Sequence, residues 1–465
     1  GNSGGGLKEY MHVFETEPIV QGGCIWDWVD QSFREIDKDG KWYWSYGGDY
    51  GPKDVPSFGN FCCNGLVNAA REPHPHLIEV KKEYQYIKAA LTDPKKLTVE
   101  VKNWYDFTNL NAYTLHWQVM GDDGKVIAEG TRKADCAPHE AVTFSLGAVK
   151  LPSTIREAYL NLSWTPDKAT PFIGTHDEVA YDQFVLSANK GYRAPEIKLA
   201  DKVKIDIDPA TGALRSYIYK GKEMLSSPVV LSLYRPVTDN DSREKTGGAK
   251  VWRKEGLDNM IQKATFVKAS ETGGKSEVEL WNAKGVKLGM ATFVYTLQSN
   301  GALKVKTTSA VTSLARVGLA FEMPYAYNKV SYLGRGEHET YIDRNQSGCI
   351  GIYHTDAERM FHYYVKPQAT GNRTDVRWME LADEAGEGLS FRSDKVFQFS
   401  VIPFTDSNVD KATHINKLER TGIINVHLDA EQSGVGTATC GPGVLPPYRV
   451  PVEKHTFEFM IRPLK

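Results

Sequence analysis

Long apolar runs and any strong excess of charge are absent from this sequence. No stretch reaches the about 18 apolar residues that a transmembrane helix needs, and 56 basic against 58 acidic residues leave a formal net charge of −2. So small a charge predicts neither a nucleic acid nor an anionic membrane as partner. The first residues, GNSGGG, have no initiator Met and no basic or apolar segment typical of a signal peptide. We therefore expect an excised fragment or a processed product of a longer protein.

Cysteine is scarce and lacks the spacing of a metal or disulfide framework. The chain has six cysteines, none of them in a CxxC pair. Free, mostly buried thiols are therefore predicted. The adjacent pair Cys62-Cys63 is a weak metal signal, because neighbouring side chains of an extended segment point to opposite faces.

The N-terminal part of the chain has the pattern of an α/β fold. Apolar residues recur at helical spacing from Leu7 to Phe14, and residues 19–25 form a short apolar run that predicts a buried strand. A second helix is predicted to begin near Pro73 and Pro75. Its apolar face would comprise Leu77, Val80, Tyr84, Ile87 and Leu91.

The rest of the chain alternates with a period of two and predicts β-structure throughout. Apolar residues alternate from Tyr113 to Val119, and about a hundred such residues, 92–190, are typical of an immunoglobulin-like sandwich. Residues 191–465 continue this pattern, with a predicted hairpin turn at Ser299-Asn300-Gly301. The near absence of helical periodicity there indicates one large double sheet.

A Trp-Asp-Trp loop after the first predicted strand is the clearest candidate for a ligand site. Ligands bind at the carboxyl ends of strands in α/β folds, and a Trp face suits the C–H face of a sugar. On the sequence alone, a Trp at the end of a strand, such as Trp26, is more often a core residue. Asp27 and Asp30 could be a catalytic pair, but we favour a structural role as hydrogen-bond acceptors.

Several ordered motifs resemble the family 2 β-galactosidases, the large bacterial lactases. They are GGCIWDWVDQ at 22–31, YGGDYG at 46–51, NFCCNGLV at 60–67, PHP at 73–75, RPVTDND at 235–241, LGRGEHETYIDR at 333–344 and GNRTDVRW at 371–378. The resemblance implies a mainly β chain with an N-terminal α/β remnant. Its domains would be the end of a (β/α)8 barrel at 1–91, an immunoglobulin-like sandwich at 92–190 and a large β-sandwich of the galactose mutarotase type at 191–465.

The resemblance also implies the activity, a retaining exo-hydrolysis of terminal β-D-galactosyl residues. Retaining glycosidases need two carboxyl groups about 5–5.5 Å apart. In the family the nucleophilic Glu belongs to an EYxHxMGNS block, whose end Gly1-Asn2-Ser3 matches. The nucleophile, the acid/base Glu and the family's magnesium site would all lie upstream. We therefore expect no catalytic residue in this chain and no activity of the chain alone.

Part of the sugar site can be assigned by the same resemblance. Trp26 matches a wall of the galactose subsite, and Trp28 is expected to pack under the barrel. Asn64 and the backbone carbonyl of Phe61 match sodium ligands and would form a partial sodium site. The cluster Asp239, Asn240 and Asp241 is either an Asx-turn or a contributor to substrate binding, and the sequence leaves both open.

Alternatives to this interpretation remain. A family 2 β-glucuronidase would share the chemistry, whereas a noncatalytic carbohydrate-binding or assembly module would not. Where some relatives have an aglycone-site tryptophan, this chain has Cys440 or Gly441, so lactose need not be the substrate. The expected partners are galactosides or other β-linked glycans and, in the complete enzyme, further copies of itself. The bacterial cytoplasm and the periplasm are both open as locations.

A partial barrel would also leave open strand edges. Residues 1–91 therefore need support either from the downstream sandwich or from another chain.

Overall fold

The computed structural model describes residues 1–186, 199, 201–244 and 248–464, which divide into two compact units. The larger unit comprises Gly1–Glu79, Ile197–Gly348 and Tyr353–Lys465, and the smaller one comprises Val80–Glu196 and Cys349–Ile352. The domain boundary predicted between residues 190 and 191 lies outside the described residues. No helix among the described residues is long and apolar enough to cross a membrane.

The N-terminal segment contains two helices and one hairpin. They are α1 (Leu7–Thr16), β1 (Phe33–Ile36), β2 (Trp42–Ser45) and α2 (Pro75–Glu83). The prediction of α1 is confirmed, although none of its residues is buried. Helix α2 begins at Pro75 as predicted but ends at Glu83, and the next strand starts at Ile87. Ile87 and Leu91 are four residues apart, which fits one face of a helix and one face of a strand equally well.

The strand predicted over residues 19–25 is wrong. No strand is assigned there, and the side chain of Ile19 is 92% exposed. The extended backbone comes slightly later, where Val29 forms an isolated parallel bridge with Val67. A short apolar run is compatible with several structures, and only a hydrogen-bonded neighbour makes it a strand.

The smaller unit is an antiparallel sandwich, as expected for an immunoglobulin-like domain. One sheet has the order β3-β4-β7 and the other β6-β5-β8-β9. The strands are β3 (Ile87–Asp93), β4 (Thr98–Asn103), β5 (Tyr113–Gly121), β6 (Val126–Arg132), β7 (Ala141–Ser145), β8 (Ala158–Pro166) and β9 (Ala180–Leu186). Alternate residues such as Leu115, Leu160 and Trp164 form the core. The boundary predicted between residues 91 and 92 falls inside β3.

The larger unit contains most of the remaining strands, which pair with their neighbours in antiparallel fashion. A three-stranded sheet has the order β10-β11-β12, and a twelve-stranded sheet includes the path β13-β18-β23-β22-β24-β17-β16-β15-β14. The strands are β10 (Lys204–Ile207), β11 (Leu214–Tyr219), β12 (Lys222–Glu223), β13 (Val230–Ser232), β14 (Ile261–Ser270), β15 (Gly273–Trp281), β16 (Lys287–Leu297), β17 (Leu303–Val311), β18 (Arg316–Pro324), β19 (Lys329–Arg335), β20 (Ile350–Asp356), β21 (Arg373–Ala382), β22 (Gly388–Ile402), β23 (Ile423–Gln432) and β24 (Lys454–Pro463).

Short helices connect these strands. They are α3 (Asp239–Arg243), α4 (Gly248–Glu255), α5 (Ala357–Met360) and α6 (Asp406–Lys411). The hairpin between β16 and β17 is confirmed, and its Gly301 has a φ of 75°, which favours glycine. Leu303 and Val305 of β17 face the core, whereas Lys306 is exposed. The fold class predicted from the sequence, mainly β with an N-terminal α/β remnant, is confirmed.

The larger unit contains buried ion pairs, two of which join an arginine to an aspartate. Arg316 of β18 binds Asp429 of β23 through both carboxylate oxygens, with Nε–Oδ1 at 3.0 Å and Nη2–Oδ2 at 2.6 Å. Arg235 binds Asp241 in the same way. All four side chains are at most 4% exposed. Burial raises the pKa of Asp429 even though Arg316 opposes this effect. These pairs are stable only because each charge has its partner.

Candidate functional site

Two extended segments of the N-terminal part run side by side and position the candidate site. The N–H of Asp27 donates to the carbonyl of Asn64 at 2.9 Å, and the N–H of Leu66 donates to the carbonyl of Asp27 at 3.0 Å. The N–H of Val67 donates to the carbonyl of Trp28 at 3.0 Å. This ladder places the start of the Trp-Asp-Trp loop and Asn64 at the same end of the pair.

Both tryptophans of the loop are exposed in the chain. Trp26 is 72% exposed and Trp28 is 58% exposed. The core interpretation of Trp26 is therefore excluded for this chain, whereas the packing of Trp28 beneath the complete barrel stays a prediction. Other large aromatic side chains of the N-terminal segment are exposed as well, namely Phe33, Trp42, Tyr50, Phe58 and Phe61. The stacking role of Trp26 on galactose stays a prediction.

The two predicted sodium donors lie next to each other. A 3₁₀ turn spans Gly59–Cys62, and the side-chain amide of Asn64 folds back to donate to the carbonyl of Phe61. Rotating this amide by half a turn would instead place Oδ1 beside the Phe61 carbonyl oxygen, and two oxygens in contact repel each other unless a cation or a proton donor lies between them. Two neutral oxygens suit a hard monovalent cation. A partial sodium site at Phe61 and Asn64 stays a prediction.

A divalent metal ion such as magnesium would need a cluster of acidic, histidine or cysteine side chains. Among the described residues, no group of three or more His, Cys, Asp or Glu side chains could hold a metal ion. The resemblance assigned the family's magnesium ligands to positions upstream of Gly1. Residues 1–464, as far as they are described, offer a magnesium ion no cluster of this kind.

The two aspartates of the loop act as hydrogen-bond acceptors, as we favoured. Asp27 accepts from the backbone N–H of Trp28 at 2.6 Å and from Nε2 of Gln31 at 3.1 Å. Asp30 is 2% exposed and accepts from the N–H of Gly65 at 2.7 Å. Burial would raise the pKa of Asp30, but the hydrogen bond from His74 and the other interactions lower it below its usual value.

Asp30 begins a chain of buried polar groups that reaches into the large β-domain. Its Oδ2 lies 2.7 Å from Nε2 of His74, whose Nδ1 lies 2.7 Å from Nε2 of His362. Burial lowers the pKa of His74, and it lowers the pKa of His362 to about 3. Both imidazoles are therefore neutral near pH 7. The distances fit one proton on each Nε2, with His74 donating to Asp30 and accepting from His362.

The sequence placed His74 only between Pro73 and Pro75, where the second helix was predicted to begin, and gave no sign of His362. The two histidines are 288 residues apart. His362 lies outside every motif that carried the family resemblance, so no pattern in the sequence could have paired them.

Comparisons with known proteins cover nearly the whole chain. The profile described as "Beta galactosidase small chain" matches residues 200–461, more than half of the chain. The chain belongs to the β-galactosidases of glycosyl hydrolase family 2. The profile "Beta-galactosidase, domain 4" matches residues 99–187, and "Glycosyl hydrolases family 2, TIM barrel domain" matches residues 1–89.

Individual β-galactosidases align along the same length. The protein of Priestia megaterium is 32% identical and that of Aeromonas hydrophila 31%, each over 94% of this chain and 44% of the relative. Beta-galactosidase 2 of Enterobacter cloacae is 28% identical over 100% of this chain and 47% of its own length. The chain thus spans less than half the length of these relatives.

Solved structures match more weakly. Galactose 1-epimerase from Lactobacillus acidophilus aligns with 57% of the chain at 9% identity and a TM-score of 0.32, too low to support a conclusion.

The Asp239–Asp241 cluster of this β-galactosidase chain forms the first turn of α3. Thr238 caps the helix, and Asp241 accepts from the backbone N–H of Thr238 as well as from Arg235. Asn240 donates to the carbonyl of Gly436 at 2.9 Å and accepts from Thr439. These two side chains are engaged within the protein, which favours the structural alternative for them.

Asp239 instead faces the turn that contains the sodium donors. Its Oδ1 accepts from Nδ2 of Asn60 at 2.8 Å, and its Oδ2 accepts from Nε2 of Gln368 at 3.1 Å. Among the three residues of the cluster, Asp239 is therefore the one in contact with the 3₁₀ turn Gly59–Cys62, through Asn60. A role of the cluster in substrate binding stays a prediction.

The first residues are anchored on the large β-domain. Asn2 is 0% exposed, and its amide donates to the carbonyl of Ala369 at 2.8 Å and to the hydroxyl of Tyr341 at 3.2 Å. Arg344 donates to Oδ1 of Asn2 at 2.8 Å. This support for the barrel segment comes from the large β-domain.

The loop at residues 434–441 contains the position where some relatives are expected to have a tryptophan. Its first residues are held by a buried aspartate, and its end is exposed. Asp343 accepts from the backbone N–H groups of Val435 and Gly436 at 3.0 and 2.8 Å. Cys440 and Gly441 lie at the end of this loop and are exposed. Neither residue presents a large apolar face to a second sugar.

Proposed function

We propose that this chain supplies part of the galactose-binding wall of a retaining exo-β-galactosidase. The observation that carries the proposal is the exposed face of Trp26, held at the end of the same ladder that positions Asn64. A flat apolar surface beside neutral oxygen donors suits a sugar ring with one apolar face and a rim of hydroxyls. Family membership supports galactosides as the substrate class.

The carboxyl groups beside Trp26 are not free to carry out the hydrolysis. Asp27 and Asp30 already accept hydrogen bonds from the chain, and Asp30 is buried with His74. A retaining mechanism needs a nucleophile and an acid/base. We propose that other parts of the protein provide both, so that this chain alone does not hydrolyse β-galactosides. Turnover of a chromogenic β-galactoside by the rigorously purified chain would contradict this proposal.

The complete protein tests the role of Trp26. Replacing Trp26 by alanine should lower kcat/KM for a β-galactoside by about 10- to 100-fold, because the contact of one large apolar side chain contributes about 1.5–3 kcal/mol. Folding stability should change little, since Trp26 is mostly exposed. Trp28→Ala is the matched control. Equal losses of kcat/KM in the two variants would show that the effect is not specific to Trp26, and would contradict its role in galactose binding.

Cofactor requirements are part of the same proposal. Phe61 and Asn64 would contribute to a sodium site that is completed by the rest of the protein, and magnesium would bind outside the described residues. Asn64→Ala removes one oxygen donor, so the sodium concentration for half-maximal activity of the complete protein should rise several-fold. Titrating activity with NaCl against choline chloride at constant ionic strength measures this. An unchanged midpoint would exclude Asn64 as a ligand.

A noncatalytic carbohydrate-binding module is the second candidate, because an exposed tryptophan also suits such a protein. Calorimetric titration of the chain with galactose, lactose and a β-galactan oligosaccharide separates the two. A binding module should retain affinity by itself, whereas a partial enzyme site should bind poorly. The homo-oligomer expected for the complete enzyme is likewise a proposal, which light scattering tests.

A further inference from the structure

We propose that Cys62 and Cys63 form a dithiol site for a single soft, thiophilic centre of the trivalent arsenical class. Their Sγ atoms are 3.9 Å apart. This inference concerns binding alone and does not depend on the proposed hydrolysis.

The local backbone explains why neighbouring cysteines face the same way. Cys62 ends the 3₁₀ turn, and Cys63 follows with φ −100° and ψ 69°, outside the extended region. The N–H of Cys63 donates to the carbonyl of Asn60 at 2.9 Å and holds this bend. The sequence-based expectation of opposite faces assumed an extended segment and is wrong here.

The separation of the sulfur atoms favours a one-atom bridge over a disulfide. A disulfide needs about 2.05 Å between the sulfurs and usually about 4.4–6.8 Å between the Cα atoms, whereas adjacent Cα atoms are about 3.8 Å apart. Two thiolates bound to one atom through bonds of about 2.3 Å lie about 3.8 Å apart on a tetrahedral centre and about 3.3 Å apart on a pyramidal centre with near-right angles, as in trivalent arsenic. The observed 3.9 Å is slightly longer than this range, so a small rotation of the cysteine side chains closes the ring.

The number of ligands distinguishes an arsenical from a metal ion. Structural zinc requires four ligands, and the part of the chain that the structure describes contains no group of three or more His, Cys, Asp or Glu side chains suitable for a metal. A monosubstituted arsenic(III) needs only two thiols. An organoarsenic oxide, RAs=O, reacts with two S–H groups to form two As–S bonds, and its oxygen leaves as water with arsenic still trivalent.

The different burial of the two cysteines suggests which thiol reacts first with the arsenical. Cys62 is half-buried, whereas Cys63 is buried and packs in a cluster with Trp44, Val365 and Ile415. Cys62 would form the first bond and Cys63 would close the ring. The bound group would lie one residue from each predicted sodium donor, Phe61 and Asn64.

Mass spectrometry of the chain treated with phenylarsine oxide tests the site. After washing with a monothiol, we expect one arsenical per chain with loss of one water, released by a dithiol such as dimercaptopropanol. Proteolytic mapping of the wild-type adduct should locate it on the peptide that contains residues 62 and 63. This mapping does not depend on whether any variant folds.

Single substitutions identify the ligands. C62S and C63S should each abolish the monothiol-resistant adduct, whereas C24S and C440S, which change exposed cysteines, should retain it. A resistant adduct in C62S, an adduct mapped to another peptide, or no resistant adduct in the wild type would each overturn the proposal.

Discussion

Replacing Arg316 by methionine is expected to lower the free energy of unfolding by about 3–5 kcal/mol. The substitution leaves Asp429 buried without its partner between β18 and β23. The cost arises from the uncompensated carboxylate, since methionine fills much of the space of the arginine stem. Urea or guanidinium denaturation at neutral pH, followed by fluorescence and circular dichroism, measures the loss.

An Arg–Asp pair on the protein surface provides the matched control. Arg215 and Asp206 pair on the surface with side chains about half exposed, so Arg215→Met should cost no more than about 1 kcal/mol. Combining Arg316→Met with Asp429→Leu should recover much of the lost stability, because no buried charge remains. Similar losses of unfolding free energy in R316M and R215M would show that burial does not determine how much each substitution costs.

Acidification is expected to destabilise the chain through His362. Its unfolded pKa is near 6.5, and its folded pKa is lowered to about 3 by burial. The folded state therefore binds fewer protons, so stability is retained above pH 6.5, falls between about 6.5 and 3, and then levels off. At about pH 5.5 this histidine alone should remove on the order of 1 kcal/mol. His74, with its pKa also lowered by burial, acts in the same direction.

His362→Gln separates this effect from the titration of carboxylates. The glutamine amide can still donate to His74 but cannot take up a proton. The difference in unfolding free energy between about pH 7.5 and 5.5 should be smaller in this variant by on the order of 1 kcal/mol. His12→Gln, which changes an exposed histidine, is the control. It should leave the difference in unfolding free energy between the two pH values unchanged. An identical pH dependence in wild type and H362Q would contradict the prediction.

The β-structure was predictable because its determinants are local. Alternation in β5 and β17 gives the buried face of each strand directly, and the Ser299-Asn300-Gly301 turn selects the pairing of β16 with β17. Ordered motifs likewise pointed to the family and to the residues around Trp26. These signals operate within a few residues or along one strand.

The sequence-based predictions failed where contacts with distant residues or the local backbone geometry determine the structure. The run at residues 19–25 has the composition of a strand but no strand is assigned to it. Ile87 and Leu91 satisfy a helical period yet belong to β3, and a bend at Cys63 brings together two thiols that an extended chain would separate. The His74–His362 contact links positions that no local pattern connects.

The anchoring of Asn2 by Arg344 has a consequence for how the chain is made. The two residues are 342 positions apart, and a ribosome that adds about 5–20 residues per second needs roughly 20–70 s to cover that distance. Until then residues 1–79 lack the surface on which they are anchored, and Trp44 and Cys63, which pack against Val365 and Ile415 in the folded chain, stay uncovered. The speed of translation and the supply of chaperones should therefore govern how much of the newly synthesised chain reaches the folded state.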